Sequence, residues 1–240
     1  MKLQFNRINT VFGLVALLGI FQFWRSICWA IANYPGGYSL TNNFLSDLGR
    51  LTTLSGMDNS QCASVFSRSV VILAVSLIPF FAVMPGVFDS GRWILRVSGI
   101  LSAIGLIGIG LTPYDRYFFA HHVALGLWII PMLVTVVTFF VCAQSSGAAS
   151  RVLSIGTLLV VLAICGYAFA GEHTAYVVFQ KALAVIAVVW LCVVFATVSV
   201  STVYAVTSRR LLAEKQARKY IQRIQKGYRR QYRSEQDRSE

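Results

Sequence analysis

The chain has 240 residues, of which 56% are hydrophobic and only 12% charged, and its net charge is +12. Soluble domains run nearer about 45–50% apolar and about 25% charged, so the composition excludes a soluble globular enzyme and a disordered chain; the mean hydropathy of +0.65 points the same way. Residues 207–240 hold eleven Lys/Arg against four Asp/Glu, so the high isoelectric point is mostly a property of the tail and does not argue for nucleic-acid binding.

Six apolar segments are long enough to span a bilayer, which takes about 20 residues. They cover 11–33, 65–87, 93–111, 118–142, 152–170 and 175–206. The first is too long for a signal-peptide core and no Ala-x-Ala site follows it, so it reads as a retained helix. The expected fold is all-α: a six-helix transmembrane domain over residues 1–206 and a basic tail over 207–240. Pro79 and Pro131 fall inside spans and predict kinks. Gly99, Gly105, Gly108 and Gly110 punctuate the third span, where small residues let helices approach closely. Cys28, Cys62, Cys142, Cys165 and Cys192 show no C-x-x-C spacing and read as small buried hydrophobes.

Six spans put both termini on one side. Lys2, Arg7, Arg92, Arg96, Arg151 and the eleven tail bases share that side, against Arg50, Arg68 and Arg116 on the other. The positive-inside rule makes the base-rich side cytoplasmic, which predicts a multi-pass protein of the cell membrane. The outer side then carries the long first loop (34–64) and the short turns near 112–117 and 171–174.

Nearly every unusual polar group falls on that outer side. The first loop offers Asn43, Ser46 and Asp47; the second turn offers Asp115, followed by His121 and His122; the third offers Glu172 and His173. Arg25 and Lys181 lie within the first and sixth spans. An ionised side chain there is costly unless it is paired or reaches water, so Asp47 and Asp115 are the expected partners of Arg25 and Lys181. Such pairs could brace helices or frame a pocket for an anionic head group. Adjacent histidines stand about 100° apart on a helix, so only one of His121 and His122 can point squarely inward. Asp115 also suits a helix N-terminus.

His121, His122, His173, Asp47, Asp115 and Glu172 include the donor types of a divalent-metal site. No tight ligand spacing joins them, so no cofactor is expected; His121, His122, Asp115 and His173 are the candidate ligands if a metal binds. Ser46 could join a serine–histidine–aspartate set, but no nucleophile elbow is present.

The stretch Asn43-Phe-Leu-Ser46-Asp47-Leu48-Gly49, then Pro113-x-Asp115, then His121 or His122 at the head of the fourth span, resembles the six-helix family catalogued as domain of unknown function 998. The resemblance covers roughly residues 10–206. It implies a six-helix integral membrane protein and leaves activity unassigned. Members of that family often carry Glu-Arg early in the sixth span; Gln180-Lys181 stands there in this chain, so the cation is kept and the acid is not. A fainter likeness is to the Frag1/DRAM/Sfk1 group, some of whose members handle lipids.

In the tail, Tyr220, Ile221, Ile224 and Tyr228 form one helical stripe among basic residues. That pattern predicts a surface helix on an anionic leaflet. The stretch 221–230 also resembles the calmodulin-binding IQ motif, with Gln231 where a base is usual. Two function classes follow. One is a membrane protein that binds a lipid or small ligand, or lets it pass, without catalysis. The alternative is an integral-membrane enzyme, such as a metal-assisted hydrolase or transferase, acting on a lipid-borne substrate at the outer leaflet.

Overall fold

The computed structural model describes residues 7–146 and 150–198. The expected end of the sixth span at Val206 and the tail over 207–240, with its surface-helix and IQ-motif readings, lie outside the described residues. Six long helices follow one another: α1 (Arg7–Ala32), α2 (Ser60–Val83), α3 (Arg92–Leu111), α4 (Phe118–Ser145), α5 (Arg151–Phe169) and α6 (His173–Val198). Each is long and apolar enough to cross a membrane, and together they make this a multi-pass membrane protein. No strand forms among the described residues; one isolated antiparallel bridge joins Thr52 to Asp58.

Local chemistry sets the helix limits. Pro35 disfavours helical geometry at the preceding Tyr34, and Gly36 and Gly37 take positive φ of 77° and 87°, so α1 stops at Ala32. Asp58 receives the Ser60 N–H at 3.2 Å and its hydroxyl at 3.0 Å. With that support α2 begins at Ser60, five residues before its apolar run. At the opposite end of the bundle, Arg96 donates to Ala82 O at 2.8 Å, meeting the carbonyl-rich end of α2. Ser150 caps α5, its hydroxyl accepting from the Leu153 N–H at 3.1 Å. Helices α2 and α4 continue through Pro79 and Pro131; Thr135 donates to Pro131 O at 2.9 Å.

Unlike a soluble bundle, this one is apolar on its outward faces as well as in its core. In α1, Ala16, Ile20, Phe23, Ile27 and Ala30 form one buried stripe, while Leu14, Leu18, Phe21 and Trp29 are exposed on the opposite face. Apolar outward faces of this extent need lipid around them. Consecutive helices pack from α1 through to α5. Helix α6 closes the bundle: Trp190 is fully buried, meets Phe139 of α4 edge-on at 5.6 Å and donates to Thr157 of α5 at 3.2 Å. Phe195 of α6 also lies against Gly13 of α1.

At Gly105 the α3 backbone comes directly against the α4 backbone. A Cβ there would lie 2.4 Å from the Trp128 nitrogen and 2.6 Å from the Leu127 carbonyl carbon, both rigid backbone. Beside this approach, Ser98 and Thr135 share a 2.8 Å hydrogen bond, and Ser102 donates to Trp128 O at 3.1 Å. Gly105→Ala should therefore cost about 1–3 kcal/mol through forced separation of the helices. Gly126→Ala, where a Cβ meets nothing within 4 Å, should change stability by less than about 1 kcal/mol. Thermal unfolding in detergent separates the two; equal effects would show that the α3–α4 contact yields.

Candidate functional site

The first loop (33–59) folds onto one end of the bundle. An irregular backbone lying on apolar helices must find partners for its N–H and C=O groups, and polar side chains from four places provide them. Within the loop, Tyr38 donates to the carbonyls of Asn43 (3.2 Å) and Phe44 (2.9 Å). Asn43 Oδ1 accepts from Ser39 N at 2.8 Å. Asp47 Oδ2 accepts from Phe44 N at 2.8 Å, which starts the short 3-10 helix Leu45–Gly49. From the head of α2, Asn59 donates to Arg50 O at 2.8 Å and Leu48 O at 3.4 Å. From α6, Lys181 donates to the carbonyls of Leu40 (2.9 Å) and Asn43, with its ammonium 5.3 Å from the Tyr38 ring centre. Gln180 accepts from Leu45 N at 2.7 Å, and His173 Nε2 lies 3.1 Å from Asn42 O. The α3–α4 turn contributes Asp115, which accepts from Thr52 N at 3.0 Å.

These contacts revise the expected ion pairs. Among the described residues the one pair within 4.0 Å is Asp47 with Arg50, three residues on. The partners of Lys181 are two backbone carbonyls. They satisfy a half-buried ammonium without a second buried charge, whose desolvation is expensive. Arg25 is exposed on the outward face of α1, and no side chain among the described residues pairs with it. Asp115 is also exposed and holds a loop N–H.

Burial pushes the Asp47 carboxyl above the ordinary carboxylate range; the Phe44 N–H, Arg50, Asn43 and Lys181 oppose that rise. Burial likewise raises the Tyr38 phenol, with Asp47 and Tyr34 adding to the effect.

Beneath the loop lies a cavity of about 90 Å³. Its roof is Leu45 and Ser46; its walls come from α1 (Phe23), α2 (Phe66, Val70, Leu73, Leu77, Phe81), α3, α4 and α6. Most of the lining is apolar. The polar side chains are Ser46, His121 and Gln180 at the loop end, with Ser102 deeper. Along α4 the lining runs from His121 to Met132, roughly 16 Å at 1.5 Å per residue. That is about half of a bilayer's 30 Å hydrocarbon core.

His121 and His122 divide as adjacent helical positions must. His121 is buried and lines the cavity; His122 is exposed, its Nδ1 2.8 Å from Phe118 O and its ring 4.3 Å from that of Phe118. His121 Nδ1 lies 2.7 Å from Thr112 O. A carbonyl can only accept, so Nδ1 carries the proton; in the neutral form of the ring Nε2 is then an acceptor.

Of the residues expected to matter, Asn43, Asp47 and Lys181 meet at the loop anchor, and Ser46 and His121 line the cavity. Asp115 pins the loop from outside, His173 braces it, and Arg25 and His122 face outward. Among the described residues no group of three or more His, Cys, Asp or Glu could hold a metal ion. Gln180, Tyr38 and Asn59 were missed as anchors. A glutamine inside an apolar span was a usable signal for the first. Tyr38 and Asn59 look like ordinary loop residues until the chain is folded. The chain matches no family model, no curated protein and no solved structure.

Two measurements test the anchor. Lys181→Ala leaves the Leu40 and Asn43 carbonyls without their charged donor and should cost about 1.5–3 kcal/mol, with faster proteolysis of the loop; Asp58→Ala should cost far less. The Asp47 raise fixes a pH dependence. The folded state holds this proton where the unfolded chain has lost it, so the group's penalty is complete above the folded pKa. That penalty is relieved as pH falls through the folded value and is gone below the unfolded one. Asp47→Asn keeps an acceptor for Phe44 N–H and removes the charge. Its stability relative to wild type should be greatest near pH 7 and shrink towards about pH 4, read by thermal unfolding. A gap independent of pH would place the Asp47 charge in solvent.

Proposed function

We propose that this multi-pass membrane protein binds one amphiphile, seating a lipid chain in the cavity with its polar end beneath the first loop. The carrying observation is the cavity's polarity: apolar walls over about one leaflet's depth, with Ser46, His121 and Gln180 gathered at one end. An acyl or isoprenoid chain fits those walls without an unpaired polar group. A hydroxyl at its head can donate to the free acceptor of His121. Asp47 and Asp115 do not line this space and hold loop N–H groups, which favours binding over acid–base chemistry. The base distribution puts the loop end at the outer leaflet and both termini in the cytoplasm of the cell. The basic tail then lies beside an anionic cytoplasmic leaflet. Membership of the domain of unknown function 998 family, carried by the Asn43–Gly49, Asp115 and His121 pattern, belongs to the same reading.

Ala187→Phe fills the cavity from α6, where Ala187 is buried and lines it. The variant should lose most binding of a fluorescent fatty alcohol in detergent, with wild-type helicity retained. Ala184→Leu, a smaller intrusion, should weaken binding by a lesser factor. Unchanged binding in folded samples of both variants would remove the cavity from the function.

A further inference from the structure

Two arginines face the surrounding lipid at one level. Helices α1 and α2 are aligned by two close contacts. Cys62 Sγ lies 3.6 Å from Ala30 O and 3.4 Å from Asn33 O, and a Cβ at Gly19 would fall against Ser76 and Leu73. Arg25 is five residues below Ala30 and Arg68 six below Cys62, roughly 8 and 9 Å at 1.5 Å per residue. At 100° per residue each points away from the core. Arg25 is opposite the Ala16–Ile20–Phe23–Ile27 stripe, and Arg68 is opposite cavity-lining Phe66, Val70 and Leu77. Both are exposed, amid exposed Phe21, Trp29, Ile72 and Val75.

The protein gives these cations little. Among the described residues Arg68 bonds only Ser64 of its own helix, to the hydroxyl at 2.6 Å and the carbonyl at 3.2 Å, which draws its guanidinium towards the loop end. Arg25 has no side-chain partner among the described residues. A cation on a lipid-facing surface costs several kcal/mol unless an anion or the interface reaches it. A guanidinium takes a phosphate through two parallel N–H···O bonds. We infer that Arg25 and Arg68 together clamp the phosphate of an anionic phospholipid lying against the α1–α2 seam. This site is outside the bundle and independent of the cavity.

The test uses the full chain, so that the basic tail is the same in every sample, and about 0.2 M ammonium acetate, which screens exposed charge. Retention of phosphatidylglycerol and of phosphatidylcholine is counted by native mass spectrometry, with inorganic phosphate as competitor. Wild type should retain phosphatidylglycerol preferentially. The Arg25→Gln/Arg68→Gln variant should bind it about tenfold more weakly, and Arg116→Gln should match wild type. Arg25→Lys/Arg68→Lys, which keeps the charge and loses the planar fork, should fall between and guards against a folding defect in the glutamine pair. Undiminished retention by either folded double variant overturns the clamp. Displacement of the lipid by millimolar inorganic phosphate also overturns it, because the site would then select a free anion.

Discussion

Lys181 joins the two parts of this protein that obey different rules. The helices satisfy their own backbone and can stand in lipid. The first loop cannot, since its turns leave carbonyls that no helix hydrogen bond reaches. An ammonium on α6, bound to the carbonyls of Leu40 and Asn43, satisfies those oxygens and its own donors in one arrangement. Gln180, one residue earlier, takes the Leu45 N–H. The loop is thus held by α6 through both acceptor and donor, and its position over the cavity follows from that attachment.

The six spans were legible because the bilayer imposes a length and a polarity that soluble folds lack. The inner helix limits, such as 93–111 against Arg92–Leu111, followed from the apolar runs alone. The early start of α2 did not, because Asp58 and Ser60 set it through local hydrogen bonds that hydropathy does not register. The polar residues of the loop end were legible as a set and not as pairs. Lys181 and Asp47 each required a partner, but elementary electrostatics names opposite charge first. Carbonyl oxygens met that need for Lys181, and the Phe44 N–H together with nearby Arg50 met it for Asp47; every residue has backbone groups, so no sequence pattern marks them. The cavity was not legible at all, since its wall combines single faces of five helices with the underside of the loop.

The loop and the cavity share residues, which couples them. Leu45 and Ser46 belong to the same short 3-10 helix as Asp47, so the roof's position depends on the Asp47 bond to Phe44 N–H. Gln180 lines the cavity and holds Leu45 at once. A ligand that displaced Gln180 would release the roof, whereas one that left its bond intact would meet a preformed lid. The side chains that hold the roof of this cavity are fixed from α2, α6 and the α3–α4 turn.

Helices α1 and α2 present opposite chemistry across a thin wall. Phe23 faces the cavity and Arg25 the lipid; Phe66 faces the cavity and Arg68 the lipid. In each pair a separation of two residues turns the chain by about 200°, reversing the side chain's direction at nearly constant depth. The wall is sealed by contacts of small groups: Cys62 against the Ala30 and Asn33 carbonyls, and Gly19 against Ser76. Ser76 satisfies its own hydroxyl on Leu73 O at 2.6 Å, so that hydroxyl makes no demand on water between the helices. Close packing of that kind keeps a charged outer face and an apolar inner space apart over one helix diameter. It also explains why α1 tolerates an arginine within its apolar run: the buried stripe that docks α1 onto the bundle never passes through that position.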